Sequence, residues 1–297
     1  MSTVGPVAAL PGPATPEVPP KPTVPSKPAV PRSVAEGLAA TEPPAVALGR
    51  RTAFGPALAA VYAGQLARAR VARIPLLFVA AFQSVGILLL LRGVVDTGSE
   101  TTREQVVAGA SVLVVAFVAL NLLAQRFGAL RAAGALDYYL SLPVPRSAVV
   151  LGTAGSYATF AVPGTIVTAV FGAILYDLPL ARLWMLVPVL VLAGASLAGV
   201  GAAIGLLAPK PELATVGGQL GMSVVLFLGI IPADRLPFVV RAVRAAVPST
   251  YAVDALADSF HRQVHWWGVT VDLLVCAAVA VVSLAIAAAA LRRAGRA

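Results

Sequence analysis

The hydrophobic positions of this chain come in long unbroken runs, not in strips of strand or surface-helix period. Charge is absent from Ile74 to Leu91, Val106 to Ala124, Leu151 to Leu175, Leu183 to Leu207 and Leu213 to Ile231. From Val269 to Leu291 it is confined to Asp272. A helix rises 1.5 Å per residue, so about 20 apolar residues cross the hydrocarbon layer of a bilayer. The pattern predicts an all-α polytopic membrane protein with six transmembrane helices over 74–91, 106–124, 151–175, 183–207, 213–231 and 269–291, together a membrane domain over 74–297.

Two weaker patterns flank these runs. Over 50–73, Leu58, Val61, Tyr62 and Leu66 recur at helical spacing, and Arg68, Arg70 and Arg73 follow. That predicts a basic amphipathic helix lying in the headgroup layer ahead of the first span. Between the second and third spans stands QRFGALRAAGALDYYLSLPVPRSAVVLG. Its Leu130, Gly134, Leu136, Tyr139 and Leu140 predict a helix along the inner membrane face, stopped at Leu142-Pro143, with Arg146 leading into the next span.

Composition adds a third region. Half of the 24 prolines precede Arg50. Each proline fixes φ and removes a backbone donor, so neither helix nor sheet can propagate there. Residues 1–49 read as a disordered cytoplasmic arm of polyproline II character, a spacer or a docking tail. The arm lacks the basic start and apolar core of a signal peptide. Over the whole chain, arm included, 59% of residues are hydrophobic and 12% charged, with a mean hydropathy of +0.88. A soluble domain carries about 25% charged residues, so a soluble globule is excluded.

The net charge of +9 matters through its placement. With both termini in the cytoplasm, the inward segments hold most of the 22 basic residues, as positive-inside topology requires. The charge is thereby an orientation device, and nucleic acid is not implied. Partners are the bilayer itself and other protein chains.

Candidate chemistry is sparse. Asp272 is the lone acid of the predicted spans and falls near their outer edge, where an interfacial side chain is its expected role; a proton-coupled transporter would carry more. His261 and His265 stand four apart without an HExxH frame, so no metal site is assigned, and no catalytic residue or cofactor is expected. Lys21, Lys27 and Lys210 are each followed by Pro, which rules out the Gly-Lys-Ser/Thr of a phosphate loop; the chain is expected not to be an ATPase. Gly201-x-x-x-Gly205 and Gly217-x-x-x-Gly221 predict close helix packing, and Pro163-Gly164 and Pro188 predict kinks in the third and fourth spans. Asn121 is expected to bond between helices, Cys276 to fill the core, and Trp266 and Trp267 to form an interfacial belt.

The loop before the third span carries a family signature. The chain resembles ABC transporter permeases of the type-2 exporter family, which have Gly-Thr-Leu-Glu, a leucine pair and Pro-Val-x-Arg ahead of a Gly in the third span. The matching residues are Gly134, Ala135, Leu136, Asp137, Leu140, Pro143, Val144, Pro145, Arg146 and Gly152. Ala135 and Asp137 depart from the family's Thr and Glu, and Ala132 replaces an acid usual shortly before the Gly. A second match is the outer segment, where Pro232, Pro237, Pro248, Tyr251, Ala252, Asp254, Ala255 and Leu256 follow the family's two prolines and Tyr-Ala-x-Asp-Ala-Leu.

That resemblance implies the permease subunit of an exporter in a bacterial plasma membrane, driven by a separate ATP-binding subunit and paired with a second permease copy or related permease. It implies a coupling helix at Gly134, Leu136, Asp137, Tyr139, Leu140, Leu142, Pro143 and Arg146. It implies an outer gate with short re-entrant helices at Pro232, Pro237, Pro248, Tyr251 and Asp254, the apolar Val239, Val240, Val243 and Val247 on one face and Arg241 and Arg244 pointing elsewhere. A hydrophobic substrate (drug, lipid or glycoconjugate) fits the weakly charged spans. An ion-coupled secondary transporter and a membrane scaffold using its Pro-rich arm are the alternatives.

Overall fold

The computed structural model describes residues 53–68, 73–94, 99–230, 237–261 and 263–294. The arm over 1–49 and Pro232 lie outside the described residues, and so do the side chains of Asp137 and Leu140. Within them every regular element is helical. In chain order these are α1 (Phe54–Arg68), α2 (Arg73–Val94), α3 (Glu100–Ala132), α4 (Ala135–Ser141), α5 (Arg146–Leu175) and α6 (Leu186–Leu207). Then follow α7 (Pro211–Ile230), α8 (Phe238–Ala246), α9 (Pro248–Phe260) and α10 (Trp266–Ala294). A 3₁₀ turn over Leu180–Met185 leads into α6.

Five of these are long and apolar enough to cross a membrane: α3, α5, α6 with its leading turn, α7 and α10. The predicted first span falls on α2, 22 residues long, whose described apolar stretch runs Phe82–Gly93. The helices turn large apolar side chains outward, among them Phe78, Phe82, Ile174, Val187, Leu220 and Phe227. Such a surface suits lipid or another apolar partner, not water.

Local chemistry explains where the ends differ from the predicted spans. The second span begins at Glu100, not Val106, because Ser99 caps the helix: its hydroxyl accepts the Thr102 amide at 3.3 Å. Prolines start three others, since a missing N–H costs nothing in a first turn. Pro145 caps α5, Pro211 opens α7 and Pro248 opens α9. Pro188 lies in the first turn of α6, just after the 3₁₀ turn that leads into it. Pro163 stays inside an unbroken α5.

The core forms around α3, buried along nearly all its length and packed against α5, α6, α7 and α9. Close approach to α6 is possible because Gly201 and Gly205 face the α3 backbone. A Cβ on Gly201 would stand 2.5 Å from the Leu120 carbonyl, and one on Gly205 would collide with that of Ala124. At this contact α3 widens into a π-helical turn, Phe117–Leu122. Asn121, expected to bond between helices, instead accepts the Gln125 amide at 2.9 Å within α3 and packs on Gly218. α10 lies along α6, and Cys276 is buried between α10 and Pro248.

Candidate functional site

Thirty residues of α5 separate two groups of polar side chains, one at each end of the bundle. A helix of that length spans about 45 Å.

At the first end, α3 stops at Gly134. Its φ of +64° lies in the left-handed region, and its amide bonds back to the Arg131 carbonyl at 3.1 Å. Gly tolerates this conformation at little cost where most residues are strained, and the helix ends there. The structure thus corrects the predicted loop helix. Leu130 belongs to α3, and only Ala135–Ser141 forms a separate short helix. Leu136 and Tyr139 are buried beneath α4, with Leu136 4% exposed, while Tyr138 faces outward. Gln65 of α1 donates to the Tyr139 hydroxyl at 3.1 Å, tying α1 to α4. α1 itself lies on α5, where Tyr62 and Thr159 hydroxyls meet at 2.9 Å.

Leu142 is extended and Pro143 exposed, and Arg146 opens α5. A cavity of about 500 Å³ follows this turn, lined by Leu142 to Ser147 and by Arg292 from the end of α10. Two guanidinium-bearing residues from distant parts of the chain therefore line one hollow. Arg292 was not among the expected site residues, for nothing in the basic tail's sequence says where the last helix ends.

The other end carries a denser polar network. Pro237 caps α8, and Pro248 starts α9. Arg244, expected off the valine face, is 8% exposed, while Phe238 is 82% and Val243 51% exposed. The helix thus turns part of its apolar face outward and Arg244 inward, while Arg241 stays exposed. The Arg244 Nη1 and Nη2 donate to the two Asp254 carboxylate oxygens at 2.9 and 2.5 Å, and Nε donates to the Leu228 carbonyl at 3.1 Å. Gln105 of α3 donates to Asp254 Oδ1 at 3.1 Å and to the Gly229 carbonyl at 3.2 Å. Tyr251 donates to the Ala245 carbonyl at 2.7 Å, and Thr250 to that of Arg244 at 2.8 Å.

One residue before Gln105 stands Glu104, 3% exposed, with Oε2 3.0 Å from His261 Nδ1. That is near enough for an ion pair when the imidazole is protonated, though not aligned as a hydrogen bond. The pair borders a cavity of about 460 Å³ lined also by Glu100, Arg103, Asp177 and Arg182. Burial pushes the Asp258 carboxyl above its ordinary value, and nearby His261 opposes the rise. Beside this end, Trp184 and Trp266 stack with centroids 6.0 Å apart. Sequence reading missed Glu104, Gln105 and Arg244 because the first two fell in a polar loop and the third in an exposed face. A signal was present, for Glu and Gln adjoining a long apolar run can be drawn inside by a helix that starts early.

The model of the ABC-2 type transporter domain matches residues 60–261, from within α1 to the His261 that faces Glu104. The chain belongs to the ABC-2 type transporter family. No curated protein matches it significantly. ABC-2 membrane domains are transport components that work with an ATP-binding subunit and are not themselves the ATPase. This ABC-2 chain is therefore a multi-pass membrane protein and an ABC transporter permease.

Proposed function

We propose that this permease is the membrane half of a bacterial exporter, with six spans, both termini in the cytoplasm and the Gly134–Arg146 elbow docking an ATP-binding subunit. The observation that carries the reading is the Gly134 break. It detaches a short helix from the end of one long buried span and leaves it ahead of the Leu142-Pro143 turn into the next. Force applied to such a helix reaches two spans at once. α2 supplies the sixth span, and the basic ends of α3 and α10 favour the cytoplasmic side.

In this reading, closure of the ATP-binding subunits pushes α4. Their different affinity for two permease states biases the spans toward an outward-open form. Tyr138 and Pro143 present the exposed docking surface, with Asp137, Leu140 and Arg146 beside them. Leu136 and Tyr139 carry the push inward. A second permease copy covers part of the apolar surface and completes the path for a hydrophobic substrate. The interfacial role of α1 is to brace α4 through Gln65.

Exposure decides the test. Pro143→Asp and Tyr138→Asp alter the surface while leaving Leu136 packed. Both should abolish co-purification with the ATP-binding subunit without lowering the melting temperature of the permease. Undiminished co-purification in both variants overturns the docking assignment.

A further inference from the structure

Arg244 is a costly residue to keep where it lies. A guanidinium removed from water loses hydration that pairing only partly returns, and replacing both it and its carboxylate partner with apolar side chains would serve stability as well or better. Yet each of the three nitrogens of this fork bonds to an element other than its own. Its carboxylate partner sits on α9, and its carbonyl partner, Leu228, sits in the last turn of α7. The last carbonyls of a helix have no partner within it and carry partial negative charge, so a cation there is well placed. Gln105 closes the ring from α3, bonding the same Asp254 and the adjacent Gly229 carbonyl.

The helix that contributes Gln105 is the one that ends at Gly134. α3 thus runs from the elbow to this ring, 33 residues, about 50 Å, with its central stretch almost wholly buried. α8 is nine residues long and turns Phe238 and Val243 outward; Tyr251 and Thr250 tie its last turn to α9, while the Arg244 ring reaches α3 and α7.

We propose that Arg244 is a positioning residue for transport: with Asp254 and Gln105 it clamps α8 and α9 to the far ends of α3 and α7, so that movement begun at the elbow is delivered to the exit segment. The clamp couples, and does not itself touch substrate. This inference rests on the ATP-driven reading above.

The test needs no substrate. Spin labels are placed singly at Ala129→Cys near the elbow and at Val243→Cys on α8, both exposed, in a Cys276→Ala background. The full permease in complex with its ATP-binding subunit is reconstituted in liposomes and trapped with ATP and vanadate. In the otherwise unaltered complex both labels should change line shape on trapping. With Arg244→Met, the elbow label should still respond, ATP hydrolysis should persist, and the α8 response should be lost. Asp254→Asn should do the same, and the double variant should be no worse than either single one. A merely structural role would depress hydrolysis and both labels together. That outcome, or an α8 label that responds as before, overturns the clamp. Should Arg244→Met fail to fold, Gln105→Leu keeps the ion pair and removes only the bridge to α3. An α8 response undiminished in that variant equally overturns the proposal. If neither label responds in the unaltered complex, the ATP-driven reading itself has failed, a result distinct from failure of the clamp.

Discussion

The two short helices at the ends of this bundle are held by different forces, although beside the first of them Arg131 also donates to the Leu206 and Ala208 carbonyls at 2.7 and 3.0 Å. At the elbow, a seven-residue helix rests on the buried faces of Leu136 and Tyr139 and on a neutral hydrogen bond from Gln65. At the opposite end, a nine-residue helix is fastened by a bidentate ion pair, two helix-terminal carbonyls and an amide from a third element. Neutral hydrogen bonds contribute about 1 kcal/mol each, whereas those to charged groups contribute roughly twice that and are directional. Among the described contacts the second helix has the stronger, directional ties. In the proposed function, that asymmetry lets the first helix receive the push while the second moves as a body.

The largest expected effect tests the tight end. Arg244→Ala leaves the Asp254 carboxylate and the Leu228 carbonyl without their shared donor, and should cost on the order of 3 kcal/mol. Thermal unfolding in detergent measures it, and a loss no greater than that of any elbow substitution would break the comparison. Next comes Gly134→Val. A branched side chain in the left-handed region costs about 1–2 kcal/mol, and α4 should lose its fixed direction. Its melting temperature should fall less than that of Arg244→Ala.

A milder change sharpens the light end. Tyr139→Phe removes the acceptor of the Gln65 amide and should cost about 1 kcal/mol while preserving the ring's packing. Equal losses from Tyr139→Phe and Arg244→Ala would show that both ends are fastened alike.

The smallest effect is one of pH. Burial raises the Asp258 carboxyl, so the folded chain favours its protonated form. The stability it contributes is complete below the unfolded carboxyl value, and is lost as pH rises through the raised folded value. Asp258→Asn should therefore melt slightly higher than the parent near neutrality, with the difference shrinking as pH falls. A difference that does not change with pH would remove this carboxyl from the account of the tight end.

Much of the architecture was legible from local patterns. The apolar runs became long helices in the expected order, and the Gly-x-x-x-Gly of the fourth span became its contact with α3. Pro145, Pro211 and Pro248 marked helix starts by a rule that operates within one turn. The elbow residues were legible as a set, but their division was not. Gly134 read as one more position of an amphipathic helix until its positive φ separated α3 from α4.

What the sequence determined by itself is therefore everything that a short stretch of chain can settle. Whether a segment is apolar enough for lipid, and where a proline or glycine interrupts it, depends on neighbours within a few residues. The partners of Arg244 and Glu104 were decided only by the tertiary structure. Gln105 reaches an aspartate 149 positions away, and Glu104 meets a histidine beyond the next six helices. A charge beside an apolar run can face water or be turned inward at equal local cost. Only the assembled helices supply the carboxylate and the carbonyl ends that make the inward choice favourable.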